Sequence, residues 1–417
     1  MKIKNIICVT IILLSYSTGY AQFKLSAELR PRSEYSHGLK TPATDDTKGS
    51  FITSQRTRLN LDFKNEDFAI GIVMQDVRNW GAEQQLTDNA NRDLWLHEAW
   101  AEWFIDPQFS LKAGRQQLVY DDHRMLGSVG WAQQGRSHDV AVFKYSGLFN
   151  AHLGLAYNNS SLNSNIYRGP DAYKAMQYLW VNRIGDSYAA SFLLMNLARP
   201  YWVDAEQLDQ ETTQTTTIGT HLKTSLGEVQ LAGNFYYQFG KNPAINETDI
   251  SAFNVSVDAT TALNDIFNVG GGYELLSGTD QEGADKNNSF NPFFGTNHKF
   301  NGLMDYFFVK NHINNVGLHD IYLKADAKPG KVKFNAALHF FSAHGDMVSG
   351  NQGLGTELDI FCGYSHKGRV QLDFGYSHMF AGDGLYEVKG VENNDAANNW
   401  AWVMLTFKPT LFETKKD

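Results

Sequence analysis

The stretch that decides the fold opens the regular part of the chain and reads Phe23-Lys24-Leu25-Ser26-Ala27-Glu28-Leu29-Arg30. Apolar and polar side chains alternate at every residue, so an extended strand here would carry one apolar face and one charged face. The alternation returns in about 18 segments of roughly 10 to 16 residues. Clear examples are Thr57–Lys64, Val229–Gln238 and Lys331–Phe340. The pattern predicts an all-β chain with two-sided strands.

Two kinds of β-protein fit this alternation. In a soluble sandwich the polar face looks outward and the apolar face fills a core between two sheets. In a membrane barrel the apolar face meets lipid and the polar face lines a wet interior. The alternation by itself does not distinguish the sandwich from the barrel, and neither does the aromatic content of 13%.

The connections between the segments distinguish the two folds, because short and long ones alternate along the chain. The short ones are 65–67, 106–108, 147–148, 185–186, 227–228, 263–265, 329–330 and 367–368, which are rich in turn-forming residues. The long ones are 37–49, 81–92, 121–136, 160–172, 203–211, 241–248, 279–316, 345–353 and 383–397. An up-and-down barrel with periplasmic termini has this parity, whereas a Greek-key sandwich has no reason to keep it. We therefore predict a single up-and-down antiparallel transmembrane β-barrel of about 18 strands over residues 22–409, followed by a short polar tail, 410–417.

The first 21 residues differ from the rest. Lys2 and Lys4 precede an apolar run, Ile6–Leu14, and Gly19-Tyr20-Ala21 offers small residues for cleavage, which predicts a Sec-type signal peptide over 1–21. No run of 18 apolar residues follows, so helical membrane spans are excluded. Once Cys8 has left with the leader, Cys362 is the sole cysteine, which excludes an intrachain disulfide and a cysteine-based metal site. These features predict a bacterial outer-membrane location and give no sign of a cofactor.

The charge balance bears on the partners of the chain. The formal charge is −9, and loss of the two leader lysines leaves 34 basic against 45 acidic residues, or −11. Such a surface repels nucleic acid, so nucleic acid is not an expected partner. The barrel prediction instead implies outer-membrane lipid, a solute, and periplasmic export or uptake components as partners.

From residue 113 the chain reads Ala-Gly-Arg-Gln-Gln-Leu-Val-Tyr-Asp-Asp-His-Arg-Met-Leu-Gly-Ser-Val-Gly-Trp-Ala-Gln-Gln-Gly-Arg-Ser-His-Asp. This stretch resembles the signature of the alginate export porin family, and further matches lie at 272–278, 297–307, 318–324, 355–359 and 371–380. The resemblance implies an 18-stranded outer-membrane barrel that passes an acidic polysaccharide through an arginine-lined constriction. Arg115, Arg124 and Arg136 match the signature residue by residue. Asp121 departs from it, since the family usually carries glycine there, and it adds a negative charge beside the loop.

Basic residues are the candidate functional side chains. Of 13 arginines, 12 precede residue 200. Arginine presents a planar fork of donors to carboxylates, so a cationic track in the lumen would attract anions. The alternative is an internal ion-pair lattice with the acidic residues, and both can hold at once. The candidate pore-lining residues are Arg30, Arg56, Arg58, Arg78, Arg115, Arg124, Arg136, Arg183, Lys324 and Lys333, with Glu28, Asp62 and Asp139 as acidic members.

Two further features carry alternatives. The connection 279–316 is too long for a plain hairpin and holds Asp280, Glu282 and Asp285, so it is a candidate gate or calcium site, although most acidic loops are merely solvated. Seven tryptophans near strand ends predict an interfacial aromatic belt, and carbohydrate stacking is the less favoured alternative. They are Trp95, Trp100, Trp103, Trp180, Trp202, Trp400 and Trp402.

The sequence thus favours an outer-membrane channel that passes anionic solutes, with export of an acidic polysaccharide such as alginate as the finer hypothesis. The alternative within this class is a general diffusion or uptake porin for small solutes or oligosaccharides. The chain is not expected to be an enzyme, because the Tyr-Ser-His triplets at 35, 364 and 376 would place serine and histidine on opposite faces of a strand. A soluble secreted lectin is the third possibility.

Overall fold

The computed structural model describes residues 21–83, 85–86, 94–159, 166–169, 173–243 and 248–414. The signal peptide predicted over 1–21 therefore lies almost wholly outside the described residues. Strand is the main regular structure of these residues, which include one short α-helix, Asp383–Lys389, and one 3-10 turn, Asn297–Lys299. The strands are β1 (Gln22–His37), β2 (Ser50–Lys64), β3 (Phe68–Asn79), β4 (Trp95–Phe104), β5 (Phe109–Gln116), β6 (His138–Ser146), β7 (Asn150–Tyr157), β8 (Ala175–Ile184), β9 (Tyr188–Trp202), β10 (Gln210–Leu226), β11 (Val229–Asn242), β12 (Thr248–Ala262), β13 (Phe267–Leu276), β14 (Leu318–Ala327), β15 (Val332–Ser342), β16 (Gly353–His366), β17 (Val370–Ala381), β18 (Asn398–Phe407) and β19 (Thr410–Glu413).

The strands form a closed 18-stranded antiparallel barrel, as predicted. Each strand from β1 to β17 pairs with the next one, and β18 pairs back onto β1 with Glu34 opposite Trp402. Closure leaves no free sheet edge, so the backbone groups of every strand can be satisfied within the barrel. The predicted parity of the connections is confirmed, because all eight short turns lie at one end of the barrel and the nine longer connections at the other. We call these the turn end and the loop end.

The chain departs from the prediction near its C-terminus. Thr410–Glu413, assigned above to a polar tail, form β19 and pair with β1 around Lys24–Ser26. Pro409 interrupts the ladder between β18 and β19, since proline has no N–H to donate. The last strand of the barrel therefore continues past the boundary predicted at residue 409.

The outward face of the barrel is apolar. Large apolar side chains stand exposed on one parity of nearly every strand, among them Leu153, Phe192, Leu194, Phe235, Val257, Ile321, Leu323 and Phe374. A belt of this extent has no counterpart on soluble monomers and is the surface that a transmembrane barrel presents to lipid. The soluble sandwich and the lectin reading are therefore wrong. Among the described residues, no helix is both long enough and apolar enough to cross a bilayer.

The buried core lies inside the barrel, because two long connections fold into the lumen. We call residues 117–137, between β5 and β6, the first inward loop, and residues 277–317, between β13 and β14, the second inward loop. Phe290, Met304, Tyr306, Phe307 and Phe308 of the second loop are at most 2% exposed. They belong to one apolar cluster with side chains of the barrel wall. The inward loops thus fill part of the lumen on the side of the loop end.

Candidate functional site

Arginines of β1 and β2 hold the first inward loop against the wall. The Arg30 guanidinium donates to the carbonyls of Gly130 and Trp131, at 2.8 and 3.0 Å, and to the side chain of Gln133. Arg32 donates to the Trp131 carbonyl at 2.9 Å, and Arg56 donates to the carbonyls of residues 130, 132 and 133 at 3.3 to 3.4 Å. Alternation places Arg30, Arg32 and Arg56 on the inward parity, and the loop covers them until only 6, 7 and 3% of each is exposed.

These arginines also belong to an ionic network. Arg56 Nε donates to Glu28 Oε1 at 2.6 Å, and Lys408 Nζ lies 3.1 Å from the other carboxylate oxygen. Arg32 pairs with Glu34 at 2.8 Å. Arg58, the next inward arginine, donates to Gln75, which in turn donates to the carbonyl of residue 134. The predicted ion-pair lattice is therefore present around β1 and β2. The sequence did not indicate that its arginines also donate hydrogen bonds to carbonyls of the first inward loop.

Arg124 joins the two inward loops. Its guanidinium is fully buried, forms an ion pair with Glu274 of β13 and lies 3.7 Å over the Phe300 ring of the second loop. It also donates to Asn301 at 3.3 Å. Because Arg124 is enclosed in this way, its charge does not face open space. It positions the neighbouring segment of the second loop, which carries Lys299.

Carboxylates of β16 hold the second inward loop. The Met304 N–H donates to Glu357 at 2.7 Å, and the Leu303 N–H donates to Asp359 at 3.2 Å. Gly302 brings the backbone close to this wall, since its φ is +78° and a Cβ there would lie 2.6 Å from the Glu357 carboxylate. Only glycine fits at this approach. Asp359 is buried at 4% exposure and Glu357 fully.

Trp131 of the first inward loop packs against the second inward loop and the barrel wall. The Arg32 guanidinium lies 4.1 Å over its ring, and His298 of the second loop stacks on it at 4.7 Å. Trp400 and Trp402 of β18 contact it edge-on. Trp400 and Trp402 are therefore inward-facing and buried, as is much of Trp180, so their assignment to an interfacial belt is wrong. Trp95 and Trp103 are exposed.

Asp121 and Asp122 differ in their surroundings. Asp121 has a φ of +52°, in the left-handed region that favours glycine, which accounts for the glycine expected there by resemblance. Burial raises the pKa of Asp121, and its carboxylate accepts from Trp180 Nε1 at 3.1 Å. At Asp122 burial acts in the same direction, but His221, Asn234 and Arg124 outweigh it and lower the pKa. The extra carboxylate at 121 is therefore partly hidden rather than displayed to the lumen.

An outer cavity of about 460 Å³ lies on the loop-end side of the inward loops. Its basic lining residues are Arg32, Lys40, Arg136 and Lys310, and its acidic ones are Glu34 and Asp305. Both carboxylates are engaged, Glu34 with Arg32 at 2.8 Å and Asp305 with His298 at 2.6 Å. Arg136 donates to the Gly295 carbonyl at 3.0 Å. Lys40 and Lys310 are exposed and have no carboxylate partner among the described residues.

An inner cavity of about 320 Å³ lies on the turn-end side. Its charged lining residues are Asp122, Lys223, Asp258, Glu274, Lys299 and Lys324. Asp258 pairs with Lys324 at 2.6 Å, Glu274 pairs with Arg124, and Asp122 accepts from Asn234 at 2.6 Å. Lys223 and Lys299 are exposed to this cavity, and neither has a carboxylate partner in the described part of the chain. Unpaired ammonium groups therefore face both cavities, whereas the carboxylates lining them have partners.

Other candidate residues lie elsewhere on the barrel. Lys333 and Asp62 are on the inward parity near the turn end. Arg78, Arg115, Asp139 and Arg183 are on the outward parity, so assigning them to the pore lining is wrong. Strand alternation decides this, because the adjacent residues Gln116, His138 and Asn182 point inward, as does Gln75, an odd number of positions from Arg78. Arg115 and Asp139 pair with each other at 2.9 Å, and Arg78 pairs with Asp76 at 2.7 Å.

The sequence reasoning missed several residues of this site. Arg32 shares the parity of Arg30, so the alternation could have found it. Lys40, Lys299 and Lys310 lie in connections, where no strand parity predicts a direction. Lys223 is on β10, two positions from His221, so it shares the inward parity that the buried His221 side chain marks. The alternation along β10 therefore predicts an inward Lys223.

Two alternatives from the sequence can be compared with the geometry. At the triplet beginning at residue 376, Ser377 hydrogen-bonds Asp359 inside the barrel, whereas His378 bonds Asn399 on the other face, so the predicted separation of serine and histidine is confirmed there. For the loop 279–316, no group of three or more potential metal-ligating side chains occurs among the described residues. Asp280 instead accepts the N–H of Asp346 at 2.8 Å. The calcium hypothesis gains no support.

No family model and no curated protein sequence matches this chain. Solved structures do match over nearly the whole length. A BenF-like porin from Pseudomonas fluorescens Pf-5 is 11% identical and has a TM-score of 0.63, with 93% of this chain and 99% of that one covered. The chain has the fold of an outer-membrane porin.

Two porin structures from Pseudomonas aeruginosa are similar to a comparable degree. OccK5 (OpdH) is 10% identical with a TM-score of 0.60, and the match covers 93% of this chain and 99% of that one. OccK2 (OpdF), solved in complex with glucuronate, is 12% identical with a TM-score of 0.60, and the match covers 94% of this chain and 98% of that one. Identities this low establish the porin fold and not the solute. The resemblance to the alginate export family stays a prediction.

Proposed function

We propose that this porin is an outer-membrane channel that takes up small solutes carrying a carboxylate. The observation that carries the proposal is the pairing pattern in the two cavities. Lys40 and Lys310 face the outer cavity, and Lys223 and Lys299 face the inner one. None of these four lysines has a carboxylate partner among the described residues. The carboxylates that line the cavities, in contrast, are paired with other side chains. Unpaired ammonium groups in a partly enclosed space attract anions, because low-dielectric walls strengthen their field.

The dimensions favour a small solute over a polysaccharide chain. Cavities of about 320 and 460 Å³ fall in the range of small-molecule sites. A polysaccharide chain would need one wide, continuous passage through the lumen. Here the two inward loops, which buried arginines and carboxylates anchor to the wall, lie between the two cavities. The structural similarity to porins, one of them solved with glucuronate, agrees with uptake of a small uronate-like solute. Export of an acidic polysaccharide such as alginate is the less favoured candidate.

The proposal is tested by reversal potentials of the purified porin in planar bilayers under a salt gradient. We expect the wild-type channel to prefer anions, and Lys223→Gln and Lys299→Gln each to lower the anion-to-cation permeability ratio by about two- to fivefold, the effect of one nearby charge. Asp258→Asn should raise the ratio, because it frees Lys324. Arg183→Gln removes the same charge from the outward face and is the matched control.

Liposome swelling separates the candidate solutes. Glucuronate should enter faster than glucose, and an oligouronate of many units should block the channel without passing. Equal rates for the two sugars would indicate a general diffusion porin, and passage of the long oligouronate would favour the polysaccharide exporter. A wild-type reversal potential that shows cation preference would overturn the anion channel altogether.

A further inference from the structure

The end of the second inward loop has an unusual backbone. Four non-glycine residues in alternate positions have positive φ, namely Phe308 at +60°, Lys310 at +60°, His312 at +57° and Asn314 at +56°. The residues between them, 309, 311 and 313, do not. L-residues rarely adopt positive φ, and a series of four with regular alternation is a specific arrangement rather than an isolated turn.

Side chains hold this backbone in place. His312 is buried and bonds the Gly317 carbonyl at 2.9 Å, and Asn311 donates to the Asp305 carbonyl at 2.9 Å. Asn314 accepts from Asn242 at 2.7 Å and from Asn287 at 2.8 Å. These contacts use side-chain atoms and carbonyls of neighbouring residues. They leave the backbone N–H groups of the segment available.

The N–H groups of residues 310–314 make no hydrogen bond to any described residue. The N–H groups on either side do, since Val309 donates to Asn311 Oδ1 and Asn315 to Ser289 Oγ. Lys310 and Ile313 are exposed and line the outer cavity, so donors of this segment can bond an acceptor that enters that cavity. Left-handed residues here alternate with residues of negative φ, and successive N–H groups in such alternating turns can form a concavity that binds anions.

We propose that residues 308–314 form a backbone cradle that captures the carboxylate of an entering solute at the loop end of the lumen. Phe308, Val309, Lys310 and Ile313 line the outer cavity, so the cradle borders the space that a solute enters first. The Lys310 ammonium adds a charge beside it, and the carboxylates lining that cavity are paired with Arg32 and His298. The inference rests on the proposed function, since it takes the same carboxylate solute as the occupant.

A matched pair of substitutions separates the backbone from the lysine charge. Lys310→Gly and Lys310→Val both remove the ammonium, but glycine permits the left-handed conformation and valine opposes it. The probe is acetate, followed through the backbone amide resonance of Ile313 in protein labelled with ¹⁵N-isoleucine and held in detergent micelles. Ile313→Val assigns the resonance.

We expect a saturable acetate-dependent shift of the Ile313 amide in the wild type. Lys310→Gly should retain it with a dissociation constant within about threefold, and Lys310→Val should weaken it at least about tenfold, since a β-branched residue disfavours positive φ. Asn314→Gly and Asn314→Val repeat the comparison without any change of charge. Equal weakening by glycine and valine would reduce the site to the lysine charge and overturn the cradle.

Absence of a saturable shift in the wild type would overturn the cradle without any variant. The measurement does not depend on conduction, so its failure is distinguishable from failure of the proposed function. A saturable shift in a porin without anion preference would sustain the cradle and remove the channel proposal. Anion preference without a saturable shift would sustain the channel proposal and overturn the cradle.

Discussion

The two walls of the lumen hold their inward loops through opposite charges. On the β1–β2 side, Arg30, Arg32 and Arg56 donate to carbonyl oxygens of the first loop. On the β16 side, Glu357 and Asp359 accept from N–H groups of the second loop. The basic wall thus binds peptide carbonyl oxygens, and the acidic wall binds peptide N–H groups.

The comparison shows that a charged side chain can point into the barrel and still be inaccessible to a solute in the lumen. The arginines of β1 and β2 satisfy every sequence criterion for a pore lining, yet the first loop covers them. The exposed cations are lysines, most of them on connections or on the opposite side of the barrel. Anion attraction in this porin is therefore expected from Lys223 and Lys299 more than from the arginine group.

The largest effect should follow removal of an arginine from the basic wall. Arg56→Met leaves the buried Glu28 carboxylate without its closest partner and removes a donor from the carbonyls of residues 130, 132 and 133, so the free energy of unfolding should fall by about 3 to 5 kcal/mol. The measurement is urea unfolding in lipid vesicles, with single-channel conductance alongside. Conductance should rise if the first loop is released.

Arg78→Met is the matched control for this change, because Arg78 is an arginine with an ion pair on the outward face. It should cost no more than about 1 kcal/mol. Equal losses for the two variants would contradict the role assigned to the basic wall.

An intermediate effect is expected at the acidic wall, where the acceptor matters more than the charge. Glu357→Gln keeps a carbonyl oxygen for the Met304 N–H and should cost less than about 1 kcal/mol, whereas Glu357→Ala leaves that N–H unpaired and should cost about 1 to 3 kcal/mol. The same unfolding assay measures both. A larger loss for glutamine than for alanine would show that the negative charge itself holds the loop.

The smallest effect should come from the exposed pair on the outward face. Arg115→Gln breaks the contact with Asp139, in which both side chains are more than a third exposed, so stability should change by at most about 1 kcal/mol. The reversal potential should stay at the wild-type value, because the charge does not face the lumen. A shift as large as that of Lys299→Gln would mean that Arg115 reaches the solute path.

Strand alternation and connection parity were sufficient to predict the barrel. The period of two in segments such as Phe23–Arg30 and the alternation of short and long connections gave the strand number, the antiparallel order and the inward faces. The candidate site was predicted only in part. Arg30, Arg56 and Arg58 do face inward, but Arg78, Arg115 and Arg183 do not, because they lie on the opposite strand parity.

What the sequence determined by itself is the pattern that repeats locally, because each strand residue points to one face or the other by its position alone. What only the tertiary structure decided is where the two long connections go, and with them which charges are covered. Arg56 became an anchor and Lys299 a free cation through contacts between residues far apart in the chain. Such contacts leave no periodic trace in the sequence, since a loop folded into the lumen and a loop folded over the rim can have the same composition.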